Sequence, residues 1–360
     1  MTDENKTWRL LDTGINHAAH HMALDKVLIE SIDQSSSPST LRFMRFKPCV
    51  LVGYNQVVED EVNVEFCKAQ GLEINRRISG GGAILMEPST LGWELIGKKD
   101  VLSGWGSIEE IYERLCQGCI LAFKEWGVDA RFRPHNDIEV NGRKISGAGG
   151  TDLGDTFLFH GTILIDFNLE MMLNALKVPA AKLSDKGIAS MKERLTWLTR
   201  ELVEVPAMDS LMQGIVRGFE KILGIRCLPG ELNDHEIKNL ELNIPQFQSQ
   251  EWINLRQKKS LIIGSSSYKA PGGLIRVDLG LDTVRQRIQS LMITGDFFAY
   301  PSFIINDLEA ALKNCSIQTE ELTRSVQEFL NKREYHIPGV SSLDLIRAIE
   351  QAVANVKRGI

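Results

Sequence analysis

The run Asp137-Ile138-Glu139-Val140-Asn141-Gly142-Arg143-Lys144-Ile145-Ser146 decides the fold class. Two short strand-like segments flank Asn141-Gly142, the dipeptide that best favours a two-residue hairpin. Outward from it, Thr156–Asp166 reads as a long strand, while Leu41–Phe46, Cys49–Gly53, Glu73–Ile78, Ala83–Met86 and Leu91–Ile96 read as shorter ones. Helical patterns alternate with them. Residues 16–31 carry Ala19, Met22, Ala23, Leu24, Val27 and Leu28 at helical spacing, and Val62–Gln70 and Leu169–Leu176 are shorter candidates. Ser107–Trp126 is the clearest helix, with Ser107 at the N-cap, Glu109 and Glu110 in the first turn and Gly127 past its end. Helices interleaved with hairpin-joined strands imply an α+β fold around a mixed sheet.

The 360 residues suffice for two domains. Residues 1–245 read as the larger domain. At 246–257 the texture becomes polar and aperiodic around Pro245 and reads as a linker. Residues 258–360 read as a smaller α+β unit, with strands at Ser260–Ser265, Gly273–Gly280 and Ile288–Thr294 and helices at Ile304–Leu312, Thr319–Leu330 and Ser342–Val356. With 41 Lys+Arg against 47 Asp+Glu, the net charge of −6 argues against a dedicated nucleic-acid binder. No apolar run reaches membrane-spanning length and no signal-like core follows Met1, so a cytoplasmic protein without membrane or nucleic-acid partners is expected. Six scattered cysteines are not a disulfide framework, and Cys116-x-x-Cys119 falls on the apolar stripe of the Ser107–Trp126 helix, which predicts core thiols.

Two segments carry the chemistry. Arg76-Arg77-Ile78-Ser79-Gly80-Gly81-Gly82-Ala83 sets a basic pair before three glycines, and Arg143-Lys144-Ile145-Ser146-Gly147-Ala148-Gly149-Gly150 repeats that arrangement. Glycines allow backbone N–H groups to converge on an anion, and the flanking cations add charge. Neither segment ends in the Gly-Lys-Ser/Thr of a P-loop. One alone reads equally as a turn; two in one domain favour anion binding. Asn136 offers donor and acceptor groups for a base or sugar, and Asp137 could orient a lysine or bind Mg2+, although both residue types also simply start strands. His160, before Gly161 inside the long strand, reads equally as a core histidine and as a residue beside a ligand.

These motifs, in this order, resemble the lipoate–protein ligase A family. Met22-Ala23-Leu24-Asp25, Lys182–Ser190, Gly272–Val277 and Ile293–Phe298 extend the resemblance over most of the chain. It implies a biotin/lipoate transferase-type mixed sheet with flanking helices, plus an accessory C-terminal domain. It also implies ATP-dependent activation of lipoate or octanoate to acyl-AMP, with Mg2+, and transfer to a lysine of an acceptor lipoyl domain. That acceptor would be an E2 subunit, a glycine-cleavage H protein or another lipoate-binding protein. Carried over by residue, Lys144 would be catalytic. Arg76, Ser79, Gly81, Gly82, Ala83, Asn136, Asp137, Gly147 and His160 would bind substrate or adenylate, Asp137 being also the candidate metal ligand. The accessory domain would move against the larger one about 245–257, with Phe297 and Phe298 as packing anchors. The competing readings are an acyl transferase working through a cysteine thioester and a non-catalytic binder of acylated partners. The first needs a cysteine near Lys144, and none occurs between Cys119 and Cys227.

Overall fold

Asn141 and Gly142 close their hairpin with φ of 52° and 76°, the two positive values of a type I′ turn. The computed structural model describes residues 7–177, 193–258, 264–332 and 335–359; the Lys182–Ser190 motif lies outside them. The hairpin belongs to an eight-stranded sheet ordered β11 (Arg226–Pro229), β1 (Thr7–Asn16), β2 (Thr40–Phe46), β6 (Thr90–Lys98), β10 (Thr156–Leu164), β9 (Arg143–Leu153), β8 (Asp137–Val140) and β7 (Ala130–Arg133). β1 runs parallel to both its neighbours, and the other pairings are antiparallel. The sheet is therefore mixed, as expected.

Side chains alternate across it because successive residues of a strand face opposite sides. Phe43, Trp93 and Phe159 pack beneath helices α2 (Ile108–Glu125) and α3 (Met208–Leu223), where the Phe219 ring lies 5.0 Å from that of Trp93. Met44, Ile96 and Leu158 face helix α1 (Ala18–Asp33) on the other side. Ser107 and Glu110 form a capping box at the start of α2, and Cys116 and Cys119 are buried in that core. A small sheet, β4 (Glu73–Arg76), β3 (Cys49–Val52) and β5 (Ile84–Met86), holds the glycine run between its outer strands.

The second unit joins the antiparallel strands β12 (Gly264–Ala270), β13 (Gly273–Asp282) and β14 (Arg287–Gly295) to helices α5 (Ile304–Ala311), α6 (Thr319–Asn331) and α7 (Ser342–Gly359) around its own core. Of the strand expected at Ser260–Ser265, Gly264 and Ser265 lie in β12, and residues 259–263 lie outside the described residues. The stretch expected as the linker begins as helix rather than as aperiodic chain. Helix α4 (Asp234–Gln248) runs through Pro245, and Gln250–Ile253 forms a further helical turn. Phe247 is fully buried and Trp252 stacks on it at 4.6 Å. Two large aromatics in a polar stretch anchor it to the larger domain. Sequence periodicity missed this because only Leu240 and Phe247 of α4's apolar residues reach the core.

Candidate active site

Lys144 and Gly147 lie three residues apart, which in a regular strand would put them on opposite faces. A register shift between Ile138 and Glu139 pairs Asp137 with Gly147 but Glu139 with Lys144, so β9 bulges at Ile145. The bulge returns both residues to one face, as bulges beside functional sites do. Lys144 then folds across Gly147, where a Cβ would lie 2.6 Å from Nζ and 2.8 Å from Cε. Its ammonium forms an ion pair with Asp137 Oδ1 at 2.7 Å, and Arg133 holds Oδ2 at 2.6 Å. Burial alone would raise the Asp137 pKa, but the two cations outweigh it and keep the carboxyl below its usual range. Asp137 thus orients the lysine. As a metal ligand it fits poorly: both oxygens already face cations, and among the described residues no cluster of three His, Cys, Asp or Glu side chains could hold a metal.

The second glycine run is not an anion loop. Residues 147–150 lie inside β9, where their backbone belongs to the ladders with β8 and β10. Their missing side chains make room for what packs above them. Asn136 is pinned to this strand: its Nδ2 donates to Ala148 O at 2.7 Å while Ala148 N donates to its own carbonyl at 2.8 Å.

The first glycine run is a true turn, and the two arginines before it divide the work. Arg76 is fully buried and faces away from the turn. Its guanidinium donates to the carbonyls of Gly53, Tyr54, Gln56, Trp252 and Ile253 at 2.7–3.2 Å. These bonds tie Arg76 to the 53–56 loop and the 252–253 turn rather than to the glycine run. Arg77, the second residue of the basic pair, holds the turn itself. It donates to Leu51 O at 2.9 Å, Gly80 O at 3.0 Å and Gly82 O at 2.8 Å. Because a peptide's C=O and N–H point in opposite directions, drawing in the Gly80 and Gly82 carbonyls turns the Gly81 and Ala83 N–H groups outward. Gly81 sits at φ +90°, a conformation that suits glycine.

Ser79 and His160 meet under this turn, Ser79 Oγ lying 2.7 Å from His160 Nε2. Burial, then the Arg77 charge, push the His160 pKa down to about 3, so the imidazole is neutral. His160 pairs across the sheet with Gly149 on one side and Glu94 on the other. Glu94, Arg42 and Asp25 form a buried charged cluster behind it, with Arg42 Nη1 2.5 Å from Glu94 Oε1 and 2.8 Å from Asp25 Oδ1. Burial raises both carboxyl pKa values against the pull of Arg42, Glu94 reaching about 8. Sequence reading missed this cluster; Arg42 between Leu41 and Phe43, and Glu94 between Trp93 and Leu95, were its signal.

The smaller domain reaches into the site. Gly81 N donates to Phe297 O at 3.2 Å, and the Phe298 ring lies over Gly81 and Gly149. Phe297 is a buried packing anchor as expected, whereas Phe298 packs against the larger domain's core. Ser302 Oγ donates to Ile78 O at 3.0 Å, and the Tyr112 and Tyr300 hydroxyls pair.

Residues 17–220 match the family model of the lipoyl protein ligase A/B catalytic domain, and residues 266–349 match that of the bacterial lipoate protein ligase C-terminus. The chain belongs to the lipoyl protein ligase A/B family. It is similar to lipoate–protein ligase 1 of Staphylococcus aureus, 26% identical over 86% of this chain and 90% of the relative. It is similar as well to octanoyltransferase LipM of Moorella thermoacetica, 26% identical over 70% of this chain and 99% of the relative. A crystal structure of lipoate-protein ligase A bound with ATP superposes with a TM-score of 0.60 at 25% identity, over 69% of this chain and 98% of that one. Membership thus fixes the lipoylation enzyme family and its mixed-sheet fold. Ligases and transferases both occur among the relatives. Among the described residues, no helix is long and apolar enough to cross a membrane.

Proposed function

We propose that this chain is an ATP-dependent lipoate–protein ligase. The observation that carries the reading is a cation poised without a cysteine: Lys144 is oriented by Asp137, and no thiol is placed to take an acyl group. Cys49, Cys67, Cys116, Cys119 and Cys227 are buried, and Cys315 lies in the second unit, 3.3 Å from Ser325 Oγ. Cys116 is the thiol that feels Asp137, yet burial first, and that carboxylate second, push its pKa up, away from a nucleophilic thiolate.

In the first step the lipoate carboxylate oxygen attacks the α-phosphorus of ATP, and the bond to the departing pyrophosphate breaks. Lys144 meets the charge that builds on the carboxyl and phosphate oxygens, worth about 3–4 kcal/mol for one fixed donor in a dry site. The outward Gly81 and Ala83 N–H groups, with Ser79 and Gly82 beside them, line the same seat, and neutral His160 flanks the acyl chain. Asn136 ties the start of β8, and with it Asp137, to β9. In the second step the neutral amine of an acceptor lysine attacks the acyl carbon. Its proton passes to solvent and AMP leaves. The acceptor is a lipoyl-domain protein such as an E2 subunit, a glycine-cleavage H protein or another lipoate carrier.

The likeness to the LipM transferase favours a second reading, octanoyl transfer without ATP. One experiment separates them. Protein, lipoate and ATP are mixed with candidate acceptors, and pyrophosphate and the acceptor's mass gain are followed. The ligase reading expects both signals in wild type and in a variant lacking all six cysteines, and both slowed by about 10²–10³-fold in Lys144→Ala. An acyl-cysteine formed without ATP would carry the transferase reading instead.

A further inference from the structure

The geometry points to Phe297 and Phe298 as an internal occupant of the seat for the acyl carboxylate. On the proposed reading, this dipeptide competes with the acyl carboxylate for that seat. Arg77 turns the Gly81 N–H outward, the natural partner for a carboxylate oxygen, and the Phe297 carbonyl takes that hydrogen bond at 3.2 Å. The adjoining apolar space, between two bare backbones and beside a neutral imidazole, suits an alkyl chain. The Phe298 ring fills it. A Cβ at Gly81 would lie 2.6 Å from Phe298 Cζ, and one at Gly149 would lie 2.5 Å from Phe298 Cε1 and 3.3 Å from His160 Cε1. One dipeptide thus presents a carbonyl oxygen and an apolar group in the relation that a fatty carboxylate would.

The occupant is held by bonds that flank it on both sides. Gly295 N donates to Asn55 O at 3.1 Å, and Ser302 Oγ reaches Ile78 O. Farther off, Arg276 of β13 pairs with Glu61 of the larger domain. A hydrophobic carboxylate must displace Phe297 and Phe298 together, so binding and withdrawal of the second unit are linked. If the dipeptide is seated nine-tenths of the time, the apparent dissociation constant is raised about tenfold.

Lipoate is titrated calorimetrically, without ATP, into full-length wild type, Phe298→Ala and Arg276→Ala, with melting curves as the folding control. Phe298→Ala is expected to bind lipoate about tenfold tighter, and Arg276→Ala, which keeps the ring but loosens its tether, to shift the same way. Arg276→Ala carries the test if Phe298→Ala fails to fold. Hydrogen exchange across residues 295–302 should rise when lipoate saturates wild type. Affinities within twofold of wild type in the folded variants, or unchanged exchange, overturn the inference while leaving the ligase reading intact. No lipoate binding by any form overturns both.

Discussion

Gly147→Ala tests the bulge that aims Lys144. The new methyl would stand 2.6 Å from Lys144 Nζ and 2.8 Å from Cε, so the ammonium must retreat by about 1 Å to reach ordinary contact. Gly147 does not need a left-handed backbone, because its φ lies outside that region. Lys144 and Asp137 are partly solvent-reachable, 35% and 17% exposed, and Asp137 keeps Arg133. The lost geometry therefore costs no more than about 1 kcal/mol of stability, a fall in Tm of about 3 °C. Activity is far more sensitive, since a misplacement of about 1 Å can cost about 10²-fold in rate. The expected result is a fall of about 10- to 100-fold in pyrophosphate release, equivalent to about 1.4–2.7 kcal/mol of barrier, at nearly unchanged Tm. A double-mutant cycle isolates the cause: with Lys144→Ala already present, Gly147→Ala should add nothing. Full activity in Gly147→Ala, or losses that simply add in the double variant, would refute the lysine-aiming role of the bulge.

Arg76→Ala should orphan buried carbonyls on the 53–56 loop and the 250–253 turn, each costing about 1–3 kcal/mol when left unpaired. Urea unfolding should show a loss of about 3–5 kcal/mol, and a loss below about 1 kcal/mol would contradict the structural role. His160 supplies a pH signature. Its folded pKa of about 3 lies below the unfolded 6.5, so only the unfolded chain binds the proton between those values. The stability it contributes is full above pH 6.5 and drains as pH falls toward 3, by up to about 1.4 kcal/mol per unit. His160→Gln should flatten that slope in denaturant titrations from pH 6.5 to 4; an unchanged slope would show that the neutral histidine is not its source.

The interior of the smaller domain illustrates how far local information reaches. β13, β14 and helices α5, α6 and α7 fall within a residue or a few of their expected positions, because each strand or helix has a buried face with its own period. Its strap is different. Phe297 and Phe298 are adjacent and chemically identical, and which of them crosses into the larger domain depends on the turn after Gly295, whose φ of +157° redirects the chain.

What the sequence by itself determined is what local chemistry dictates. Asn141-Gly142 can close only a tight hairpin, Ser107 and Glu110 cap a helix whose apolar stripe buries Cys116 and Cys119, and alternating runs specify the strands of a mixed sheet. A lysine partner for Asp137 was one of the roles its sequence left open, beside Mg2+ binding and a strand start, and the folded hairpin supplies Lys144. Only the tertiary structure decided which arginine serves the glycine turn. Arg76 and Arg77 have the same chemistry, and the strand's alternation sends one toward the 250–253 turn and the other beneath Gly80–Gly82. The second glycine run likewise became a strand only because β8 and β10 pair with it on both sides. Contacts such as Ser79 with His160, or Phe298 with Gly81 and Gly149, join residues dozens to hundreds of positions apart. No period or turn signal encodes them, because they exist only once the sheet has set its register and the second unit has docked.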